Sequence, residues 1–382
     1  MYRTPMVNVG TPLQELEKPY TAWPYGSMWY DEVLGTPKLH LVYRAGTGHV
    51  SGSQVVYYRN MAYQDSYEWS EKVVVADRTG EGLDASCHAA GVAPNGDYIA
   101  LIRWRDSSAN VVGYDVARST DKGTTWVLTN WKADGVDLWP REAGEIFTTK
   151  SGAILTYCRM WDFTQVIARS TDNGITWHKL FVTNPFEYTP NGPLEGTFVQ
   201  IPDGTIISIV RKTLGDTSVA IEALFTISED DGLTWSPLSQ TNIQDMSNNN
   251  GAIVYHPKRD TIEIFYASRL AQSDGYGSIY QAITTPEKAK QGLFNPPKRI
   301  QQVTAGFDSG YPAVVKTPDE RVFMAYYNGT SSSTKIYLMA NTNEIYNGDI
   351  YYKASDGLFS ISEKTTKKSN GSIHKGKVFF KI

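Results

Sequence analysis

RSTDKGTTW (residues 118–126) is followed, 51 residues on, by RSTDNGITW (169–177), and 58 residues later by a looser copy, ISEDDGLTW (227–235). The shared pattern is Ser-x-Asp-x-Gly-x-Thr-Trp. An acid, two hydroxyls and an indole are the raw material of a sugar or metal site, but they also suit a turn. Asp accepts backbone hydrogen bonds within its own turn, Gly takes positive φ, and Ser and Thr tie to nearby backbone. A Trp at the end fills the gap to a neighbouring sheet. Repetition at a near-constant interval favours the turn, because a repeated fold needs it many times and a site needs it once.

Working outward from the boxes gives a repeating unit. In each, a strand meets a tight turn, a second strand follows, and a third strand leads into the box. The first turns are APNG (93–96), TKSG (149–152) and IPDG (201–204), and DYIALIRW, AILTYCRM and TIISIVRK follow them. Aligning Gly96, Gly152 and Gly204 brings Arg103, Arg159 and Arg211 to one position, seven residues past each glycine. Weaker units flank these three, with turns near Gly35, Lys258 and Asp319 and a degraded box ending at Trp69. Six units thus run from about Tyr20 to Asn341. The expected fold is all-β, a six-bladed β-propeller, an architecture that protects sheet edges by radial repetition. A sandwich does not explain the in-register repeat, and a β-helix needs a shorter period. TTPEKAKQGLF (284–294) is the one short helical candidate. The expected division is an extended N-terminal arm over 1–19, the propeller over 20–345 and a polar extension over 346–382. The extension either closes the last blade or begins a stalk or trimerisation segment.

Composition narrows the function. Among 382 residues, 24 Tyr and 32 Gly with only 20% charged residues suit short strands and tight turns. A net charge of −4 argues against nucleic acid as a partner. No apolar run is long enough for a membrane-spanning helix, and the first residues lack the apolar core of a secretory signal. Cys87 and Cys158 fall in separate units, and six His with two Cys show no zinc-site spacing, so neither a metal nor a cofactor is expected.

The boxes, set in this unit, resemble the Asp-boxes of the sialidase superfamily over about Tyr20 to Asn341. The resemblance implies a glutamate on the first strand of a middle blade and an arginine on the second; LEGTFVQIPDGTIISIVRK supplies Glu195 and Arg211. It implies a further arginine from the next blade, Arg269 in IFYASRL, and a nucleophilic tyrosine in the last, Tyr311 in SGYPAVV. On the first blade the chain departs from the family. AWPYG stands where Arg-Ile-Pro is expected, so Ala22 replaces the first arginine. Arg44 matches the second arginine, and His49 stands where the acid/base aspartate belongs. These departures resemble the phage endosialidases, trimeric tailspikes that cleave within polysialic acid.

The resemblance therefore implies a glycoside hydrolase acting on a sialylated polysaccharide or another acidic glycan. Arg211 and Arg269, with Arg44, would bind the substrate, since guanidinium groups hold a carboxylate in fixed bidentate geometry. Glu195 and Tyr311 would form a base and nucleophile pair, and His49 would protonate the leaving oxygen. Alternatively, Glu195 and His49 act as base and acid around a water. Arg103, Arg159, His88 and Asp84 are weaker candidates for the channel, and Trp23, Trp139 and Tyr188 for aromatic platforms. An exosialidase and a non-catalytic glycan-binding propeller remain alternatives. Homotrimer formation and a virion or extracellular location follow from the resemblance; a bacterial cytoplasmic enzyme would look the same.

Overall fold

The computed structural model describes residues 5–24, 26–49, 52–186, 192–212, 222–244, 246, 250–305 and 309–341, and the backbone of three strands beyond them. The chain divides into two compact units, Met1–Asn341 and Thr342–Ile382. The second contains an antiparallel sheet of Ile350–Tyr351, Leu358–Lys367 and Ile373–Lys381.

The first unit is all-β and compatible with a propeller. The second repeat shows how the sequence builds each sheet. Asp84–Val92 turns at Asn95-Gly96 into Tyr98–Arg105, which pairs with Val111–Ser119, and the box then delivers the chain to Val127–Asn130. The turn glycines Gly96, Gly152 and Gly204 have φ of 86°, 88° and 96°, which is why glycine recurs there. The turns near Gly35, Lys258 and Asp319 place Leu34, Asp260 and Glu320 in the same left-handed region, at φ of 52°, 46° and 66°. Those residues carry some strain, which explains why these units are harder to see in the sequence. The third, fourth and fifth repeats form sheets centred on Ile154–Arg159, Ile206–Lys212 and Thr261–Ser268. The helical candidate is realised as Pro286–Ala289, capped by the Thr285 side chain.

The first and last repeats share one nine-stranded sheet, joined through Tyr20–Ala22, which pairs with both Thr36–Gly46 and Thr334–Asn341. The expected N-terminal arm is in part a strand of this sheet. Met6–Leu13 runs antiparallel to Thr334–Asn341, with Met6 opposite Asn341, and supplies the outer strand of the last repeat. Innermost strands touch in sequence around the molecule: Met28–Val33, Asp84–Val92, Glu142–Ala143, Pro193–Gln200, Gly251–His256, Gly310–Lys316, and back to Met28–Val33.

Each box works as a turn. Asp172 accepts hydrogen bonds from Ser170 Oγ (2.8 Å), Thr176 N (2.9 Å) and Thr176 Oγ1 (2.6 Å). Asp121 and Asp230 repeat this set. The residue before each box glycine, Lys122, Asn173 or Asp231, shares its left-handed conformation, with φ of 59° to 62°. Trp177 and Trp235 donate from Nε1 to the carbonyls of Gly174 and Gly232 (3.1 and 3.0 Å). The box side also meets the first turns: Lys122 Nζ donates to Gly96 O at 2.9 Å.

Candidate functional site

At the end of the sheets away from the boxes lies a cavity of ≈ 240 Å³. Three of the innermost strands slip register by a residue as they reach it, between Cys87 and Ala89, Pro193 and Gly196, and Gly310 and Ala313. These bulges break the strict in/out alternation of the pleat and turn His88, Glu195 and Tyr311 into the cavity. Tyr311 follows Gly310 and sits at φ 47°, a strained conformation for an aromatic residue.

Four of the expected site residues meet on one wall. Arg211 Nη1 donates to both oxygens of Glu195 (3.1 and 2.9 Å) and to the Tyr311 hydroxyl (2.6 Å). The same hydroxyl donates to Glu195 Oε1 at 3.4 Å. Arg269 stacks its guanidinium 5.5 Å from the Tyr311 ring centre and donates to Ser309 O and the Tyr327 hydroxyl (both 3.1 Å). Burial pushes the Glu195 carboxyl above its ordinary value, while the Arg211 charge pulls it back. Burial likewise raises the Tyr311 phenol, again opposed by Arg211. This suits proton transfer: the carboxylate is a stronger base than in water, and the guanidinium is placed to stabilise a phenolate.

His49 reaches the cavity from a loop whose ends are tied down. Gly52 N and Gln54 N donate to the Asp84 carboxylate (3.1 and 2.7 Å), and Thr47 N to Gly52 O (2.9 Å). Asp84 therefore supports the His49 loop and does not line the cavity. His49 Nδ1 lies 2.6 Å from the Tyr20 hydroxyl, and its ring meets Trp23 edge-on at 5.6 Å. Arg44, expected to bind substrate, is fully buried and is not on the wall. Its guanidinium stacks 3.4 Å from the Trp23 ring centre and donates to Gln54 Oε1 (2.8 Å) and the His49 carbonyl. The physical reason is Trp23 itself, held at φ 61° beside the short Ala22 so that its indole covers Arg44. Trp23 lines the cavity, as weighed from sequence; Trp139 is exposed outside it, and Tyr188 lies outside the described residues.

On the wall contributed by the second and third repeats, Arg103 and His88 had been weighed from the sequence, whereas Arg105 and Glu142 were missed. Arg103, His88, Arg105 and Glu142 all line the cavity, whereas Arg159 does not. Arg103 Nη1 donates to Arg141 O (3.0 Å) and approaches Glu142 Oε2 at 3.4 Å. Arg105 lies two residues beyond Arg103, on the same face of its strand, and burial with the nearby Arg103 and Arg44 charges lowers its pKa to about 10. His88 is held neutral, since burial and then Arg103, Arg105 and Arg44 all disfavour its charged form. Two signals were available in the sequence: the i, i+2 spacing in RWR, and Glu142 sitting near the start of its repeat, as Glu195 does.

A smaller cavity of ≈ 160 Å³ is lined by the innermost strands, including Gly26, Ala90, Glu145 and Val314. Glu145 accepts the backbone N–H of Phe198, and burial raises its pKa to about 8. Among the described residues no group of three or more His, Cys, Asp or Glu side chains could hold a metal ion.

Solved structures share this fold. A protein of unknown function from Dyadobacter fermentans aligns over 89% of this chain and 99% of its own, with 18% identity and a TM-score of 0.67. The phage phi92 endosialidase aligns over 97% of this chain and 74% of its own, at 11% identity and a TM-score of 0.63. The NanB sialidase of Streptococcus pneumoniae aligns over 88% and 70%, at 11% identity and 0.60. No curated protein matches the chain by sequence. The family described as BNR repeat-like domain matches residues 38–324, most of the first compact unit, and the chain belongs to that family, within the sialidase superfamily.

Proposed function

We propose that the chain is a six-bladed propeller glycoside hydrolase that cleaves within a sialic-acid-containing polysaccharide, in the manner of an endosialidase. The observation that carries this reading is the hydrogen-bonded set of Glu195, Arg211 and Tyr311 with Arg269 beside it. The closed circuit of innermost strands supports the blade count.

In this mechanism Arg269 and the free edge of Arg211 hold the carboxylate on the anomeric carbon. The Tyr311 oxygen attacks that carbon as its proton passes to Glu195, with Arg211 stabilising the phenolate in passing. A neutral phenol approaches an anionic sugar without the repulsion a carboxylate nucleophile would meet. The glycosidic C–O bond breaks, and the departing oxygen takes a proton from His49, whose imidazole can hold and release one. Water then attacks the anomeric carbon while His49 takes its proton, the bond to the Tyr311 oxygen breaks, and Glu195 returns the proton to Tyr311.

Incubation with polysialic acid and, separately, with sialyl-lactose tests the reading. Shortened oligomers without free monomer are expected from the polymer. Free sialic acid from both substrates would indicate exo action instead, and binding without cleavage a glycan-binding module. Glu195→Ala and Arg211→Ala are each expected to lower turnover by about 10²-fold or more. Near-wild-type rates in both would overturn the site. Sedimentation of the intact chain tests the homotrimer that a tailspike reading entails.

A further inference from the structure

The charges of the larger cavity do not balance. Four guanidinium groups line it, those of Arg103, Arg105, Arg211 and Arg269, against two carboxylates, Glu142 and Glu195. Glu195 pairs with Arg211, and Glu142 approaches Arg103. Among the described residues, Arg269 and Arg105 have no carboxylate partner within 4.0 Å, and they belong to different repeats, the fifth and the second. Arg269 lies beside Tyr311, where the proposed mechanism already uses it. Arg105 has no such use.

The surroundings of Arg105 look built for an anion. Its Nε is buried with no hydrogen-bond partner, as are the Nε of Arg103 and the Nε2 of His88. His88 and Arg103 are themselves 7% and 1% exposed. Two guanidinium groups thus meet on one wall with donor capacity left over, beside the uncharged His88 imidazole. An unpaired guanidinium beside a second one is costly in a fold unless an anion arrives to compensate it. A single-carboxylate ligand seated at Arg211 and Arg269 would leave this wall unmatched.

We propose that Arg105, with Arg103 behind it, is a second anion subsite, so that the cavity takes a ligand carrying two carboxylates, one on each wall. The assignment rests on the reading of the cavity as an acidic-glycan site, and it sharpens the substrate class: two acidic sugar residues in succession rather than one terminal acid. It also gives an energetic reason for a preference for polymer, because every internal pair of residues in a polyacid offers both charges.

Two arms separate this proposal from the function it builds on. In the first, inorganic sulfate is titrated against the intact protein at constant ionic strength, with thermal unfolding as the readout. Sulfate needs no sugar chemistry, so this arm tests the subsite whatever the substrate proves to be. The wild type is expected to gain stability with sulfate, and Arg105→Gln to need at least tenfold more sulfate for the same gain. Equal response in the two proteins, or none in the wild type, would overturn the subsite. In the second arm, binding of sialic acid is compared with that of its disaccharide on the wild type, which requires no variant to fold. The disaccharide is expected to bind at least tenfold more tightly and to lose affinity more steeply with salt. Arg105→Gln removes that advantage while leaving the monomer within twofold. Equal affinity of the two sugars for the wild type would overturn the two-carboxylate ligand. A sulfate response with neither sugar bound would retain the subsite and reject the sialic-acid reading.

Discussion

Tyr311 concentrates the chemistry in one residue. Its hydroxyl accepts from Arg211 at 2.6 Å and donates to Glu195 at 3.4 Å, and its backbone is held in a left-handed conformation by the bulge after Gly310. Tyr311→Phe removes the hydroxyl and leaves the ring stacked on Tyr327. Turnover is expected to fall by about 10²–10⁴-fold with substrate binding little changed. A KM increase at unchanged kcat would assign Tyr311 to binding alone. Glu145 is informative at the same scale. Its native carboxyl, with its pKa at about 8 against an ordinary value of 4.5, keeps its proton across a range where the unfolded chain has lost it. The native state therefore binds more protons between those values, and its stability falls as pH rises through the window. Glu145→Gln abolishes that contribution. Relative to the wild type, the variant is expected to gain on the order of 4 kcal/mol between pH 5 and pH 8.5, measured by denaturant unfolding. Parallel stability curves for the two proteins would refute the assignment.

Among the elements, the box is the clearest case of sequence dictating structure. Asp172 satisfies one hydroxyl at each end of its turn and the Thr176 N–H between them, far from the cavity. Asp172→Ala is expected to cost about 1–3 kcal/mol of stability and to leave kcat and KM unchanged. A loss of activity at full stability would mean the box has a functional role after all. Because box and turn glycine are short-range features, they were legible, and the register they set singled out Glu195, Arg211 and Tyr311, whose side chains the structure brings together. The innermost-strand bulges were not legible, since a slip of one residue depends on cross-strand pairing that no local pattern records. His88 was underrated for that reason. Arg44 went the other way: its position in the strand was right, but the Trp23 that covers it takes its place from tertiary packing.

Taken as a whole, the first compact unit is held by pairing between its two ends. The strand Met6–Leu13 alternates weakly in sequence, and its partner is the far Thr334–Asn341, so nothing local announced it. Removing residues 1–13 leaves the outer edge of Thr334–Asn341 unpaired beyond Thr334 and takes Met6 out of the apolar cluster that includes Met339 and Val303. The truncated chain is expected to unfold several degrees lower and to aggregate through that edge, read by thermal scanning with light scattering. Unchanged melting would show that the strand is decorative.

That clasp has a consequence for how the protein is made. A ribosome releases Met6–Leu13 before its partner Thr334–Asn341, which follows only after the intervening strands have been synthesised. Each intermediate repeat forms from local hairpins as it emerges, but the first strand must wait, unpaired, for the last. Pairing Met6 with Asn341 joins the two ends of the first compact unit, a contact of high sequence separation with a correspondingly large loop-closure entropy to overcome. A nascent chain stalled before that point would carry two open edges side by side, which makes the moment of closure, rather than the assembly of any single sheet, the interval in which it is most exposed to pairing with a neighbour.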